Sequence, residues 1–258
     1  MDIFLITAPG QQDFLAAEAR EKGFKVTSTI PGGVTLKGDW PAVWRANLQL
    51  RGANRVLARV LQFRALYLSQ LEMNLREFDW DKTLPKYASV DIDVTCQKSK
   101  IYHAGAAKER VATALAAHGF FPPEEGYPAD LSLRVRIERD QVTVSIDTSG
   151  ESLHKRGHKE AVNKAPMRET MAALFLRAAG FNGKEPLYDP MCGSGTIPIE
   201  AAEIARRLDA GRNREFTFQD LPSFDAAAFA KMGSPERDAA LPVFGSDRDQ
   251  GAIKMSRA

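Results

Sequence analysis

Leu187-Tyr-Asp-Pro-Met-Cys-Gly-Ser-Gly-Thr-Ile-Pro-Ile-Glu-Ala-Ala202 reads as a short apolar strand ending in an acid, a turn built on Gly193 and Gly195, and a helix. Glycines let backbone N–H groups approach a ligand closely, and a helix start carries unpaired donors for a carboxylate or phosphate. An acid at a strand end beside such a turn makes a pocket for a small charged cofactor. The turn lacks the third glycine of the dinucleotide fingerprint, and no lysine follows it as a P-loop requires. A Gly-x-Gly turn alone is weak evidence. Here Asp189 precedes it and Glu200-Ala-Ala follows on the helix.

A second strand-like segment, Leu241-Pro-Val-Phe-Gly-Ser-Asp-Arg-Asp249, delivers a further acid, Asp247. In doubly wound sheets the first two strands are adjacent, and an acid at the end of the second binds ribose hydroxyls. Two acids flanking a glycine turn suit S-adenosylmethionine, which carries an ammonium and a ribose but no phosphate. Residues 165–258 are therefore expected to begin an α/β Rossmann-like domain, entered through a helix that Pro166 opens and Gly180 closes. The domain starts late in a chain of 258 residues.

Working back toward the N-terminus, residues 2–8, 24–30, 34–37 and 56–63 have the apolar runs of strands. Residues 11–22 and 40–47 have helical spacing, with Phe14, Leu15 and Ala19 on one face. Pro31-Gly32-Gly33 is a strand–turn–strand signal. The order strand-helix-strand-strand-helix-strand is ferredoxin-like, a fold that hosts many functions, and it defines a first α+β domain over residues 1–65. The pattern restarts over 66–148. Residues 71–78 and 106–118 read as helices and 89–95 as a strand. Leu131, Leu133, Val135 and Ile137 then alternate with polar residues, as do Val142, Val144 and Ile146 after a turn at Arg139-Asp140.

Two segments concentrate basic residues. Residues 96–110 hold Lys98, Lys100, Tyr102, His103, Lys108 and Arg110, able to meet RNA phosphates and stack a base, or simply to form a solvated face. Residues 149–164 form a basic linker carrying His154, Lys155, Arg156 and Lys159, placed to meet a phosphate backbone passing between domains. His154 and His158 are four apart, but Gly157 between them argues against a helical metal site. Overall charge is only +2, so nucleic-acid binding must rest on such local patches. Cys96 and Cys192 are the only cysteines, which implies neither a disulfide framework nor zinc. The apolar run at residues 3–6 is too short for a signal peptide or a membrane span, so a cytoplasmic location without membrane contact is expected.

Taken together, Asp189-Pro-Met-Cys-Gly-Ser-Gly-Thr196, Gly245-Ser-Asp-Arg-Asp249 and Ser149-Gly-Glu-Ser-Leu-His-Lys-Arg-Gly157 resemble the THUMP-domain RNA methyltransferases. The similarity is greatest to the bacterial 23S ribosomal RNA guanine-N2 methyltransferases. Ala165-Pro-Met-Arg-Glu-Thr-Met-Ala-Ala173 and Trp44-Arg-Ala-Asn-Leu-Gln-Leu-Arg51 share it, and it extends over essentially the whole chain. The resemblance implies a ferredoxin-like domain, a THUMP domain that grips RNA, and a class I methyltransferase domain. It implies that Asp189, Gly193, Ser194 and Gly195 border the methionine part of S-adenosylmethionine, and that Asp247 takes the ribose hydroxyls with Asp249 as a helper. It implies an insertion at 208–240, where Phe216, Phe218 and Phe224 are expected to pack rather than stack on bases. The family's Asn-Pro-Pro-Tyr-type motif, which holds the amino group to be methylated, has no counterpart here. The catalytic residues are thus expected beyond residue 258, and the chain is expected to be an inactive fragment. Transfer RNA, adenine N6 of DNA, and RNA binding without catalysis stay open as alternatives.

Overall fold

The computed structural model describes residues 1–157, 167–238 and 242–257. The N-terminal part runs β1 (Asp2–Ile6), α1 (Gln12–Glu21), β2 (Lys25–Ile30), β3 (Gly33–Lys37), α2 (Trp40–Gln49) and β4 (Arg55–Arg64). Every strand pair among β1–β4 is antiparallel, in the order β2-β3-β1-β4. That order is the ferredoxin-like arrangement expected from the alternation of elements. Asp39 caps α2 by accepting the Ala42 N–H at 3.1 Å, and Pro41 follows where its missing N–H costs nothing.

The second part adds α3 (Leu68–Glu77), β5 (Val90–Gln97), α4 (Ala104–Ala116), β6 (Leu131–Glu138) and β7 (Gln141–Asp147). Arg139 and Asp140, both with positive φ, form the two-residue β6–β7 turn, as a right-handed hairpin requires. β7 pairs antiparallel with β4, so the two parts share one seven-stranded sheet. Their apolar cores are also one cluster, from Ile3 and Leu15 through Leu71 and Trp80 to Ile146. The division at residue 65 is a change of topology within a continuous sheet, not a gap between bodies. Phe14, expected on the inner face of α1, is exposed, while Ala16 and Glu18 lie inside with Leu15 and Ala19. The inner stripe is rotated because Glu18 turns in to bind the backbone N–H groups of Arg51 and Gly52.

The C-terminal part holds α5 (Glu169–Ala178), β8 (Leu187–Asp189), α6 (Thr196–Arg206), α7 (Ala226–Phe229), β9 (Val243–Gly245) and α8 (Gln250–Arg257). α5 ends at Gly180 with φ +81, a left-handed stop; Pro166, expected to open this helix, lies outside the described residues.

Candidate cofactor site

β8 and β9 run parallel, with Asp189 opposite Gly245, so the acid-ended strand and its successor lie side by side. Contact continues past the strand ends: Ser246 N–H donates to the Asp189 carbonyl at 2.9 Å, and Cys192 N–H to the Ser246 carbonyl at 3.0 Å. Gly245 permits this approach, since a Cβ there would sit 2.9 Å from the Cys192 sulfur. The turn itself closes through Gly195 N–H to the Cys192 carbonyl at 2.8 Å. Gly193 and Gly195 have φ of +53° and +84°, a region glycine enters without a Cβ penalty. A Cβ on Gly195 would press on Ser256, but one on Gly193 would meet no heavy atom within 4 Å. The turn is therefore open on the Gly193 side, where a ligand can lie against the backbone.

Asp247 is brought to that same place. Its Oδ1 accepts the Asp249 N–H at 2.9 Å and its Oδ2 accepts the Gly193 N–H at 2.8 Å. Those two backbone donors, Asp249 first, hold the Asp247 carboxyl below the usual carboxylate range, so it is an anion at neutral pH. Each oxygen retains a lone pair for a ligand hydroxyl. Asp189 Oδ1 accepts the Met191 N–H at 3.0 Å, at the entrance to the turn. Asp249 points elsewhere: its Oδ1 takes the N–H groups of Gly251 and Ala252 and begins α8. Ser194 is buried within the turn. The fold thus gathers Asp189, Gly193, Gly195 and Asp247 and spends Asp249 as a helix cap.

Behind the turn, α6 carries two buried carboxylates, Glu200 and Glu203. Arg51, just after α2, donates to Glu200 at 2.7 Å, to Glu203 at 3.1 Å and to the Leu208 carbonyl at 2.5 Å. Arg156 donates to the second Glu200 oxygen at 2.9 Å and to the carbonyls of Leu153 and Arg51 at 2.9 and 2.8 Å. Arg212 takes the other Glu203 oxygen at 2.5 Å. Burial pulls the Arg51 guanidinium down, but Glu200 and Glu203 outweigh it and hold the group above its ordinary pKa. This corrects the reading of Arg156 as an RNA contact. It is 3% exposed and all three guanidinium nitrogens are engaged inside the protein, because a buried carboxylate needs a paired, hydrogen-bonded cation.

The long connection after α6 also turns inward. Phe216, Phe218, Phe224 and Phe229 form an aromatic cluster that covers Trp44 of α2, with the Phe224 ring 5.4 Å from Trp44. They pack, as expected. Arg214 reaches from this segment to the linker and donates to the carbonyls of Ser149, Glu151, Ser152 and Lys155. Nothing in the sequence marked Arg51, Arg212 or Arg214 for these tasks; a lone arginine reads as surface until its partner is seen.

Among the remaining basic residues that are described, the lysines face solvent. Lys98 and Lys100 are exposed beside the β6–β7 turn, where the Lys100 N–H donates to Asp140 at 2.8 Å. Tyr102 is 82% exposed, and His103 caps α4 by accepting the Ala106 N–H at 3.0 Å. Lys108 lies 3.9 Å from Asp91 on the exposed side of α4. Lys155 is exposed and 2.8 Å from Glu151. His154 is half-buried against Ser152, and burial lowers its pKa, so it is neutral at pH 7 and adds no charge for a phosphate. Lys159 and His158 lie outside the described residues. Among the described residues, no group of three or more His, Cys, Asp or Glu is placed to hold a metal ion, and no helix is long and apolar enough to cross a membrane.

Comparison with known proteins matches residues 2–57 to the RlmL ferredoxin-like domain and residues 156–258 to the RMKL-like methyltransferase domain. The chain is 30% identical to slr0064 of Synechocystis sp., a candidate RNA methyltransferase by name, over 99% of this chain and 69% of that protein. Two solved structures superpose over 99% of this chain and 70% of theirs. One is a predicted N6-adenine-specific DNA methylase from Listeria monocytogenes, 31% identical with a TM-score of 0.87. The other is SMU.472, a candidate methyltransferase complexed with SAH, 28% identical with a TM-score of 0.82.

Proposed function

Because this chain belongs to the RNA methyltransferase family that sets an RlmL-type ferredoxin-like domain before an RMKL-like methyltransferase domain, we propose that it serves methyl transfer from S-adenosylmethionine to guanine N2 of 23S ribosomal RNA. The cofactor supplies an electrophilic methyl group on a sulfonium. The observation that carries the reading is the Asp247–Gly193 hydrogen bond, which sets a second-strand acid beside the open side of the glycine turn. Asp247, ionised and with lone pairs to spare, accepts the ribose hydroxyls. Asp189, Gly193, Ser194 and Gly195 border the methionine part, and Asp249 supports Asp247 through its backbone N–H. Residues 66–148 act as the THUMP domain, with Lys98, Lys100, Lys108 and the linker Lys155 facing RNA. Attack by an exocyclic nitrogen needs in-line placement, so the protein's main contribution is to fix RNA and cofactor relative to each other.

Asp247→Ala is expected to weaken S-adenosylmethionine binding by about 10- to 100-fold, the loss of charge-assisted hydrogen bonds to the ribose. Isothermal titration checks it, and unchanged affinity would show that another acid holds the ribose. Replacing Lys98, Lys100 and Lys155 together with Gln should lower RNA affinity and reduce the slope of log K against log salt by about 2, since each lost phosphate contact removes roughly 0.7–0.9. An unchanged slope would return these lysines to solvated surface.

The name of the Listeria relative favours a second reading, methylation of adenine N6 in DNA. Labelled-methyl transfer to ribosomal RNA, transfer RNA and duplex DNA, measured with the full-length protein, separates the readings. Incorporation into DNA alone overturns the RNA assignment, and incorporation into transfer RNA alone overturns the ribosomal one.

A further inference from the structure

α1–α4 cover one face of the seven-stranded sheet, burying Leu5, Leu36, Val56, Val135 and Val144 against them. The opposite face holds a trough of about 320 Å³ that crosses β1, β4, β7, β6 and β5. No residue of the glycine turn, of the Glu200 network or of the two basic segments lies in it.

Strand register builds the trough. Arg59 pairs with Ser145, and Ser145 with Arg134, so two long arginines flank one short hydroxyl residue on three neighbouring strands. One step along, Thr143 pairs with Arg136. Arg134 is bound to Asp93 at 3.0 Å and lies 3.5 Å from Asp147, although its Nε is buried with no hydrogen-bond partner. Arg136 is bound to Glu138 at 2.9 Å. Those carboxylates largely neutralise both groups.

Arg59 is different. No carboxylate lies within ion-pair distance of it among the described residues, and Asp2, its partner across the strand pair, is bound to Lys37 at 3.0 Å. Its only hydrogen-bond contact found there is a long one, 3.5 Å to Thr35 Oγ1. The guanidinium lies 4.6 Å from the centre of the Phe4 ring. That ring reaches over residue 33, which must be glycine: a Cβ there would sit 2.1 Å from it. The result is a half-buried cation with one face stacked on a ring, holding donor N–H groups without an anion. A planar, weakly hydrated guanidinium in this state is suited to a phosphate oxygen. An aromatic-backed cation beside hydroxyls matches the phosphate-and-stacking recognition of single-stranded nucleic acid.

We propose that this trough is a second RNA-binding site, in which Arg59, stacked on Phe4, holds a backbone phosphate of single-stranded RNA running across the sheet over Ser145. The site rests on the reading of RNA as substrate. It lies on a face none of the lysines assigned to RNA occupies, so it extends the contact from the loop edge onto the sheet.

The test measures binding of a single-stranded RNA oligonucleotide and of a duplex of equal length to the wild type, to Arg59→Met, to Arg59→Lys and to the triple lysine variant. Arg59→Met keeps the packing on Phe4 and removes the charge. It should weaken single-strand binding about tenfold, the scale of one charge-assisted hydrogen bond, while leaving S-adenosylmethionine affinity unchanged. Arg59→Lys should recover part of the loss. In the wild type, photocrosslinking with 4-thiouridine in the oligonucleotide should label the peptide containing Phe4, a readout independent of how the variants fold. Full affinity in Arg59→Met with no crosslink to that peptide overturns the trough and leaves RNA binding through the lysines intact. Equal loss for single strand and duplex overturns the single-strand assignment. No RNA binding by the wild type overturns the underlying reading, and the trough with it.

Discussion

Glu200→Ala is expected to destabilise the protein by about 3–5 kcal/mol, the cost of removing one partner from a buried ion pair. Glu200 is 1% exposed, and its two oxygens serve arginines from different parts of the chain, Arg51 at 2.7 Å and Arg156 at 2.9 Å. Deleting the carboxylate removes an anion from both buried guanidinium groups; Glu203 still compensates Arg51, whereas among the described residues Glu200 is the one carboxylate paired with Arg156. Glu200→Gln retains the shape and acceptor oxygen but not the charge, so it should fall between. Urea denaturation of the three proteins checks the order. A loss under about 1 kcal/mol for the alanine variant, the range of exposed pairs, would mean that the network is hydrated. Because α6 begins at the glycine turn, the same variant should also blunt cofactor binding, whereas the trough at Arg59 should be untouched.

Phe218→Ala should cost about 3–5 kcal/mol as well, through a different term: lost burial plus the cavity left behind. Phe218 is fully buried, with ring centres of Phe216 at 5.0 Å, Phe229 at 5.3 Å, Phe224 at 5.6 Å and Trp44 at 6.3 Å. These rings hold the long connection after α6 onto α2, so their loosening should expose that segment to protease before the sheet unfolds. Limited proteolysis with mass spectrometry should place the first cut between residues 212 and 232. A first cut in the seven-stranded sheet instead would show that the connection is not held by its rings.

The elements of the fold were legible wherever a local pattern carried them. The alternation in β6 and β7, the positive-φ turn at Arg139-Asp140 and the left-handed stop at Gly180 each express a preference of nearby residues. The cofactor turn was legible for the same reason, as its glycines answer a backbone requirement fixed within a few residues. Where two segments distant in sequence meet, the reading failed. Arg156 looked like a surface cation because its charge was visible and its partner, forty-four residues away on α6, was not.

The sequence by itself determined the order of elements, the ferredoxin-like start, the glycine turn and the acid that follows it, because propensity, periodicity and turn chemistry act over short stretches. Only the tertiary structure decided which charges are available. It joined both N-terminal parts into one sheet, carried Asp247 to Gly193, drew Arg51 and Arg156 inward to Glu200, and left Arg59 on Phe4 without an anion. Pairing and burial are set by which strands and helices meet, so a side chain's freedom to act on a ligand is a property of the fold.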